Sequence, residues 1–304
     1  MKSTLLKVLI IGYGSIGQQH AKILKKFNCK IKVLTKQEKI PFTIIKNKSE
    51  IIQYNPDYII ISNNTSKHVE YLNFLEKNFS NKIVLTEKPI SDKYKKLKLK
   101  NNKYIVGYNL RFHPVIQFIK KEIKKKNINF ISINVSTYLP EWRKNINYEI
   151  SNSARKNYGG GLILELSHEL DYIRWIFGNI KLFYSFNKHI SNLKIDTDDI
   201  LILFGEVNKK IKIIFNMNFF SRINQRSIQI DGKDFSLRGD LIKNHIEIFS
   251  NKKKKKYNWD SFKISKTYIQ EHQNVFKKDF KDFCTLDEAM NTLKFIEKIK
   301  GKIK

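Results

Sequence analysis

The sequence predicts an α/β domain followed by an α+β domain that carries a large, mostly antiparallel, open-faced sheet. Length is the first observation: 304 residues, 41% of them hydrophobic, are enough for two domains with buried cores. The pattern of residue types is the second observation. Short Ile- and Val-rich runs alternate with polar, helix-compatible stretches up to about residue 115, and β-rich segments dominate afterwards. We therefore expect domains over residues 1–115 and 116–304.

The first half reads as parallel strands joined by crossover helices. The predicted strands are 7–11, 30–34, 58–62, 82–86 and 104–107. A helix is clearest over 66–78, where apolar residues recur close to helical spacing and Ser66 is available as a cap.

The second half opens with a basic helix near 115–126 and continues with β-rich segments. These segments are 129–138, 181–187, 200–207 and 211–219, with further short strands within 227–249. Links of only a few residues, such as 208–210, permit antiparallel hairpins but no crossover helix. Five consecutive lysines at 252–256 predict a solvated loop. Helices over 268–283 and 287–300 are expected to close the chain.

The charge balance bears on the class of partner. Lys and Arg total 58 against 28 acidic residues, a formal charge of +30, but only seven of the 58 are Arg and the lysines are spread over the whole chain. A phosphate-binding face would be expected to use more Arg and to cluster it, so the charge predicts biased composition and no specific nucleic-acid partner. A nucleic-acid-binding function would rest on charge alone.

Cysteine usage and apolar runs address the compartment. Cys29 and Cys284 cannot form a disulfide framework, and neither has a neighbourhood typical of zinc, so no metal is expected. No uninterrupted apolar run is long enough to span a bilayer, and no signal peptide is visible. These features predict a cytoplasmic protein without a membrane partner.

A glycine-rich turn marks the end of the first predicted strand. Gly12, Gly14 and Gly17 form GYGSIG between that strand and a predicted helix, and Ser15 and Ile16 lie between the last two glycines. The first glycine permits a tight turn, the second lets the backbone approach a pyrophosphate, and the third lets the helix pack on the strand. The context predicts a Rossmann-type dinucleotide site; a ligand-free glycine-rich turn is the alternative.

The end of the second predicted strand indicates which dinucleotide. An NAD site usually carries a carboxylate there to bind the ribose hydroxyls, whereas this chain has Thr35 and Lys36. A hydroxyl followed by a cation suits a 2′-phosphate better. The sequence therefore predicts NADP, with NAD as the alternative.

Four further motifs follow in order: NNTSKH ending at His68, EKP at 87–89, GYNLRFHP from Gly107, and GGGLILELSHELD from Gly159 to Asp171. Together with the glycine turn, they resemble the Gfo/Idh/MocA family of NAD(P)-dependent oxidoreductases over nearly the whole chain. SHELDYIRWIFG and the upstream YLPEWR are most similar to members associated with surface-sugar and nonulosonic-acid gene clusters.

The resemblance implies three catalytic residues. Lys88 of EKP would lie beside the nicotinamide and stabilise charge that develops on the substrate oxygen. Glu165 and His168 would share one face of a single helix, and His168 would serve as the proton acceptor. The family usually has Asp where this chain has Glu165, and usually has Pro where it has Asn64.

The resemblance also implies binding roles. The implied cofactor contacts beyond the glycine turn are Asn63, Thr65, His68, Glu87 and Lys88. The implied substrate contacts are Tyr108, Asn109, Arg111, Trp142, Arg143 and Asp171.

The resemblance implies an enzyme that transfers hydride between a nicotinamide and a secondary alcohol or ketone of a sugar, amino sugar, cyclitol or nucleotide sugar. Surface-glycan biosynthesis is the expected setting, and the expected partners are a sugar-like substrate and further copies of the chain, in a homodimer or homotetramer formed through the C-terminal sheet. The alternative is a nonredox member that acts as a nucleotide-dependent lyase or a sensor.

Overall fold

A computed structural model describes residues 5–142 and 147–302. The chain forms two compact units that are not contiguous in sequence. The first combines residues 1–109 with 265–293, and the second combines 110–264 with 294–304. This differs from the expected division into 1–115 and 116–304, because a C-terminal segment adds a helix, a short strand and the start of a second helix to the first unit.

The first half of the chain contains these elements: β1 (Leu6–Ile11), α1 (Ser15–Leu24), β2 (Cys29–Leu34), β3 (Thr43–Ile45), α2 (Lys48–Tyr54), β4 (Tyr58–Ile61), α3 (His68–Asn78), β5 (Ile83–Glu87) and β6 (Lys103–Gly107). The remainder contains α4 (Pro114–Glu122), β7 (Ile128–Tyr138), α5 (Leu162–Glu165), α6 (Ser167–Phe177), β8 (Ile180–Lys188), β9 (Ile200–Val207), β10 (Ile211–Asn218), β11 (Phe220–Gly232), β12 (Phe235–Asp240), β13 (His245–Ser250), β14 (Lys253–Asn258), α7 (Ser265–Lys277), β15 (Cys284–Thr285) and α8 (Leu286–Ile299).

The first unit is built on a seven-stranded sheet of order β15-β6-β5-β4-β1-β2-β3. All neighbouring strands are parallel except β15, which runs antiparallel to β6. Its central strands are buried along their length, as expected where helices cover both faces: every residue of β4 is 0% exposed. The register pairs Ile11 of β1 with Leu34 of β2 and with Ile61 of β4, so these strands end at one edge.

The second unit is built on an eight-stranded sheet of order β14-β13-β12-β11-β7-β10-β9-β8. Its neighbours are antiparallel except β7 and β10. Burial alternates along β10, where Ile213 and Phe215 are buried and Lys212 and Asn216 are exposed. One face therefore packs on the core and the other is open. The predicted fold class is confirmed.

The lysine run expected to form a loop is corrected for four of its five residues, because only Lys252 lies in a turn. Lys253–Asn258 is a strand that pairs antiparallel with β13, and all six of its residues are exposed. The hydrogen-bonding groups of β13 outweigh the charge repulsion, and an edge position leaves each ammonium group in water. Lysine on an edge strand also discourages pairing with a further chain.

Two predicted helix bounds are wrong. The helix expected from residue 66 begins at His68 after a 3₁₀ turn at Thr65–Lys67, so Ser66 does not cap it. The helix expected over 268–283 ends at Lys277, and Lys278 adopts a left-handed conformation with φ of 55°. A residue in this conformation commonly terminates a helix. In the described ranges, no helix is both long enough and apolar enough to cross a membrane.

Candidate functional site

The glycine turn lies at the carboxyl end of β1 and leads directly into α1. Gly12 has a φ of +95°, and a Cβ atom there would lie 2.6 Å from the backbone of Asn63. A Cβ atom on Gly17 would overlap the carbonyl oxygen of Gly12, so the close approach of helix and turn requires both glycines. These contacts give the first and third glycines the roles that the motif predicts.

Gly14 differs from the other two glycines. It is the N-cap of α1, no side chain caps the helix, and nothing lies within 4 Å of the position a Cβ atom would occupy. Gly14 and Ser15 are both exposed. Uncapped N–H groups beside open space at a helix N-terminus fit the pyrophosphate of a dinucleotide.

The loop after β2 is tied to the same turn. Gln37 Nε2 donates a 3.0 Å hydrogen bond to the Tyr13 carbonyl oxygen, and Thr35 Oγ1 accepts a 3.2 Å hydrogen bond from the Gln37 N–H. Lys36 is exposed. Thr35 and Lys36 therefore lie just after the strand that ends beside the glycine turn. Residues that contact the adenosine end of a bound dinucleotide are expected at this position.

His68, one of the expected cofactor contacts, is only 1% exposed. Its Nδ1 lies 3.1 Å from the Pro89 carbonyl oxygen, and its Nε2 lies 3.0 Å from that of Asn63. Burial lowers the pKa of the imidazole, although these carbonyl groups act in the opposite direction. His68 thus joins the segments that follow β4 and β5, a role that leaves it no open face for a ligand.

The end of β5 carries the EKP motif. Lys88 is partly exposed and follows Glu87, the last residue of the strand, and the Lys88–Pro89 peptide bond is cis. Glu87 is 8% exposed, and its Oε1 lies 2.9 Å from His20 Nε2. Asn63 and Thr65 follow the neighbouring strand β4, so these predicted cofactor contacts share one sheet edge with the glycine turn.

The second unit holds the other two predicted catalytic residues, and they do not share one helix. Glu165 ends α5 and His168 lies in the first turn of α6, with Leu166 between the helices at φ −97° and ψ 27°. Leu166 has left the helical conformation, so the expected i, i+3 spacing on a continuous helix is wrong. Within residues 159–173, only Glu165 and His168 escape full burial.

The glycines before α5 shape the approach to these residues. Gly159 and Gly161 have φ values of 80° and 115°. A Cβ atom on Gly161 would lie 2.5 Å from Asp198 Oδ1, and the Asp198 carboxylate also accepts a 2.9 Å hydrogen bond from the N–H of Ile163. The GGG sequence therefore has a local cause, because left-handed backbone and close packing both exclude side chains here.

Four of the predicted substrate contacts lie in the interior. Arg111 and Asp171 are each 1% exposed and form a bidentate pair, with N–O distances of 2.8 and 2.7 Å. Tyr108 and Asn109 are 3% and 4% exposed, and Asn109 Nδ2 donates to Thr267 Oγ1 at 2.7 Å. These four side chains have little exposed surface in this structure, and direct contact with a substrate stays a prediction for them.

Trp142 lies in a different setting, whereas Arg143 falls outside the described residues. Trp142 is 37% exposed, and its ring centroid lies 5.1 Å from that of Phe219. It lines a cavity of about 340 Å³ in the second unit. The polar and aromatic lining includes Thr137, Tyr138, Glu141, Gln225 and Arg226.

Arg226 and Tyr138 were not singled out from the sequence. Arg226 makes hydrogen bonds of 2.7 and 3.1 Å to Glu169, which is fully buried. The only sequence signal for Tyr138 is its position at the start of YLPEWR, and Arg226 has none, because it reaches the cavity through a bulged pairing of β11 with β7. Among the described residues, no cluster of three or more His, Cys, Asp or Glu side chains could hold a metal ion.

Comparison with known proteins reveals the fold. No family model and no curated protein matches the sequence. Among solved structures, levoglucosan dehydrogenase in complex with NADH gives a TM-score of 0.82 at 15% identity, over 98% of this chain and 97% of that one. The WlbA dehydrogenase from Bordetella pertussis, in complex with NADH and UDP-GlcNAcA, gives 0.78 at 14% identity over 98% and 96%.

A third similar structure is UDP-N-acetylglucosamine 3-dehydrogenase GnnA from Acidithiobacillus ferrooxidans, with a TM-score of 0.77 at 13% identity over 99% and 98% of the two chains. The chain has the fold of these dehydrogenases. The two-domain fold that the motifs imply is therefore confirmed.

Proposed function

We propose that this chain is an NAD(P)-dependent oxidoreductase that transfers hydride between a nicotinamide and a secondary alcohol or ketone of a sugar-like substrate. The observation that carries the proposal is the glycine turn, where Gly12 and Gly17 are required by packing and Gly14 opens onto free space at a helix N-terminus. The fold of the sugar dehydrogenases and the partly exposed Glu165 and His168 also support it.

The chain's own residues orient the reactants and move the proton, and the nicotinamide, when bound, supplies hydride chemistry. In the oxidation direction, His168 accepts the hydroxyl proton because an imidazole can do so near neutral pH. Lys88 stabilises the charge that develops on the reacting oxygen. Glu165 positions the substrate hydroxyl. The backbone at Gly14 to Gly17 holds the pyrophosphate, and Asn63, Thr65 and Glu87 contact the nicotinamide end.

NADP is the preferred dinucleotide in this proposal. Lys36 is exposed directly after β2, beside Thr35, and no carboxylate takes either position. A free ammonium group attracts a 2′-phosphate, whereas an NAD site would place a carboxylate against the ribose.

The substrate class follows from the cavity that Trp142 and Tyr138 line. Aromatic faces accept the apolar side of a sugar ring, and Thr137, Gln225 and Arg226 offer groups that can hydrogen-bond hydroxyls. We assign this cavity to a sugar, amino sugar, cyclitol or nucleotide sugar. A role in surface-glycan biosynthesis, including that of nonulosonic acids, rests on the SHELDYIRWIFG and YLPEWR motifs.

The open face of the second unit's sheet is the proposed contact with a second copy of the chain. Phe183 and Phe204 are 44% and 40% exposed, with ring centroids 5.4 Å apart, and Ile202 is 44% exposed beside them. Lys181 and Lys212 lie over the Phe183 ring, but Phe204 and Ile202 extend the patch as exposed apolar surface, and a two-fold axis would bring that surface against itself. Phe204→Lys should halve the mass measured by light scattering; an unchanged mass would exclude this interface.

A cytoplasmic location also belongs to the proposal, because Cys29 and Cys284 form no disulfide, which suits a reducing compartment. The proposed activity is tested by titrating the purified protein with NADPH and NADH and then following nicotinamide absorbance against a panel of sugars and nucleotide sugars. Substrate-dependent change in absorbance is expected. A protein that binds neither dinucleotide would contradict the proposal.

A further inference from the structure

A cluster of titratable side chains lies inside the first unit, beneath the sheet edge that carries Lys88. It brings together His20 of α1, Tyr58 of β4, Glu87 of β5, and Glu271 and His272 of α7. Glu87 is 8% exposed, and the other four are 0% exposed. Buried polar groups cost stability unless they are paired, so this cluster needs an explanation beyond packing.

Four of these side chains form a continuous hydrogen-bonded chain. Tyr58 Oη lies 3.1 Å from His272 Nδ1, His272 Nε2 lies 3.0 Å from His20 Nδ1, and His20 Nε2 lies 2.9 Å from Glu87 Oε1. Both nitrogens of each imidazole are used. A neutral imidazole has one donor and one acceptor, so fixing one bond fixes the direction of the others.

The direction follows from the environment. Burial, together with the neighbouring His20, lowers the pKa of His272 well below its usual value, so His272 is neutral. Burial raises the pKa of Tyr58 well above its usual value, so the Tyr58 hydroxyl keeps its proton and can donate a hydrogen bond. Because a neutral imidazole that donates at one nitrogen accepts at the other, donation from His20 to Glu87 makes His272 the donor to His20 and Tyr58 the donor to His272.

Glu271 is not part of this series of hydrogen bonds, and neither of its carboxyl oxygens has a hydrogen-bond partner. Burial, and then the nearby Glu87, raises its pKa well above the usual value. Glu271 therefore keeps its proton in the folded protein, whereas Glu87 has His20 as a hydrogen-bond partner. The titratable groups acting on Glu87 are His20, Tyr58, His68 and Glu271.

The fold also makes room for this carboxylate. Gly107 of β6 pairs with Glu87, and a Cβ atom on Gly107 would lie 2.9 Å from Glu87 Oε1. A side chain there would displace the carboxylate from His20. These hydrogen bonds do not lead a proton to solvent, because the series ends at Tyr58, which is 0% exposed.

We propose that Tyr58, His272 and His20 are positioning residues that fix the orientation of the Glu87 side chain for binding the nicotinamide end of the dinucleotide. This inference rests on the proposed function. Glu87 ends β5 immediately before Lys88, on a different strand from the glycine turn, and ligands of open α/β sheets bind at such strand ends. The series of hydrogen bonds should therefore affect how tightly the nicotinamide half of the dinucleotide is bound, and not how tightly the adenosine half is bound.

The test is calorimetric titration of Tyr58→Phe with NADPH and with 2′-phospho-ADP-ribose, which lacks the nicotinamide. Loss of the hydroxyl frees His272 to adopt the other tautomer, so the Kd for NADPH should rise about threefold to tenfold, as for loss of one hydrogen bond. The Kd for 2′-phospho-ADP-ribose should stay unchanged. Glu271→Gln is the matched control, since it keeps a neutral group of equal size next to His272, and both of its Kd values should equal those of wild type.

A second pair of variants replaces His272, so the test does not depend on Tyr58→Phe remaining folded. Glutamine can place an N–H near the position of Nε2, so His272→Gln should bind NADPH within about twofold of wild type, whereas His272→Leu should lose about threefold to tenfold. Equal losses for both ligands, or an NADPH affinity that neither Tyr58→Phe nor His272→Leu changes, would overturn the inference. A wild-type protein that binds neither ligand would contradict the proposed function itself.

Discussion

Ser153 Oγ donates a 2.7 Å hydrogen bond to Glu165 Oε1. Ser153 is 1% exposed and belongs to a 3₁₀ turn at Asn152–Ala154, whereas Glu165 is the last residue of α5. The bond connects a buried hydroxyl to a carboxylate that is partly exposed. Glu165 has one more methylene than the Asp usual in the resembling family, and Ser153 restricts where that longer side chain can point.

Ser153→Ala should therefore lower kcat without unfolding the protein. Loss of the orienting bond is expected to reduce kcat about fivefold to thirtyfold, because one hydrogen bond to a carboxylate contributes about 1 to 2 kcal/mol. Ser151→Ala is the matched control, since the Ser151 hydroxyl is buried and makes no hydrogen bond. Steady-state kinetics of the two variants make the comparison, and equal effects on kcat would show that Ser153 has no orienting role.

Gly14→Val should abolish tight dinucleotide binding in a folded protein. Open space surrounds the added side chain, so the melting temperature should change little, while the lost approach to the pyrophosphate should raise Kd at least about tenfold. Gly17→Ala should behave differently, because its Cβ atom meets the Gly12 carbonyl oxygen and the fold itself is destabilised. Unchanged NADPH affinity in folded Gly14→Val would refute the site.

Lys36→Ala should weaken NADPH binding and leave NADH binding unchanged. Only the 2′-phosphate gains from the ammonium group, and the loss should diminish as salt is added because Lys36 is exposed. Lys39→Ala removes an equally exposed charge nearby and should change neither Kd. If Lys36→Ala weakens both dinucleotides to the same extent, the preference for NADP has been misassigned.

Glu271→Gln should stabilise the protein increasingly as pH rises. Unfolded, Glu271 ionises near its usual pKa of 4.5, whereas the folded protein holds the proton to higher pH. Between these two pKa values the folded wild-type protein binds more protons than the unfolded one. The stability that protonated Glu271 gives the wild type is therefore complete below the pKa of the unfolded state and is lost as pH rises towards the pKa of the folded state. Gln removes this loss. Urea unfolding at about pH 5 and about pH 8 should show a larger gain at pH 8; a constant gain would contradict a protonated Glu271.

The elements that local pattern specifies could be predicted from the sequence. Gly12, Gly14 and Gly17 follow an apolar strand and precede a helix, and each of these features is readable within a few residues. The lysines of β14 could not be placed, because their strand depends on hydrogen bonds from β13 rather than on their own preference. Likewise β15 has only two residues, and its partner β6 lies far earlier in the chain.

The candidate site was predictable in composition but not in geometry. Glu165 and His168 are spaced as on one helix, and only the structure reveals the break at Leu166. Arg111 and Asp171 read as polar groups available to a substrate, yet they are 60 positions apart and satisfy each other. A polar side chain's partner is set by tertiary packing, which sequence spacing does not encode.

The measurement that tests the central claim most directly is the turnover of His168→Ala on the best substrate from the sugar panel, together with its Kd for NADPH. If His168 is the proton acceptor of a nicotinamide-dependent oxidoreductase, turnover should fall about 100-fold to 10,000-fold while the Kd stays near that of wild type. His245→Ala, which removes a partly exposed histidine elsewhere in the second unit, should retain full turnover. Full turnover by His168→Ala across about pH 6 to 9 would contradict the account.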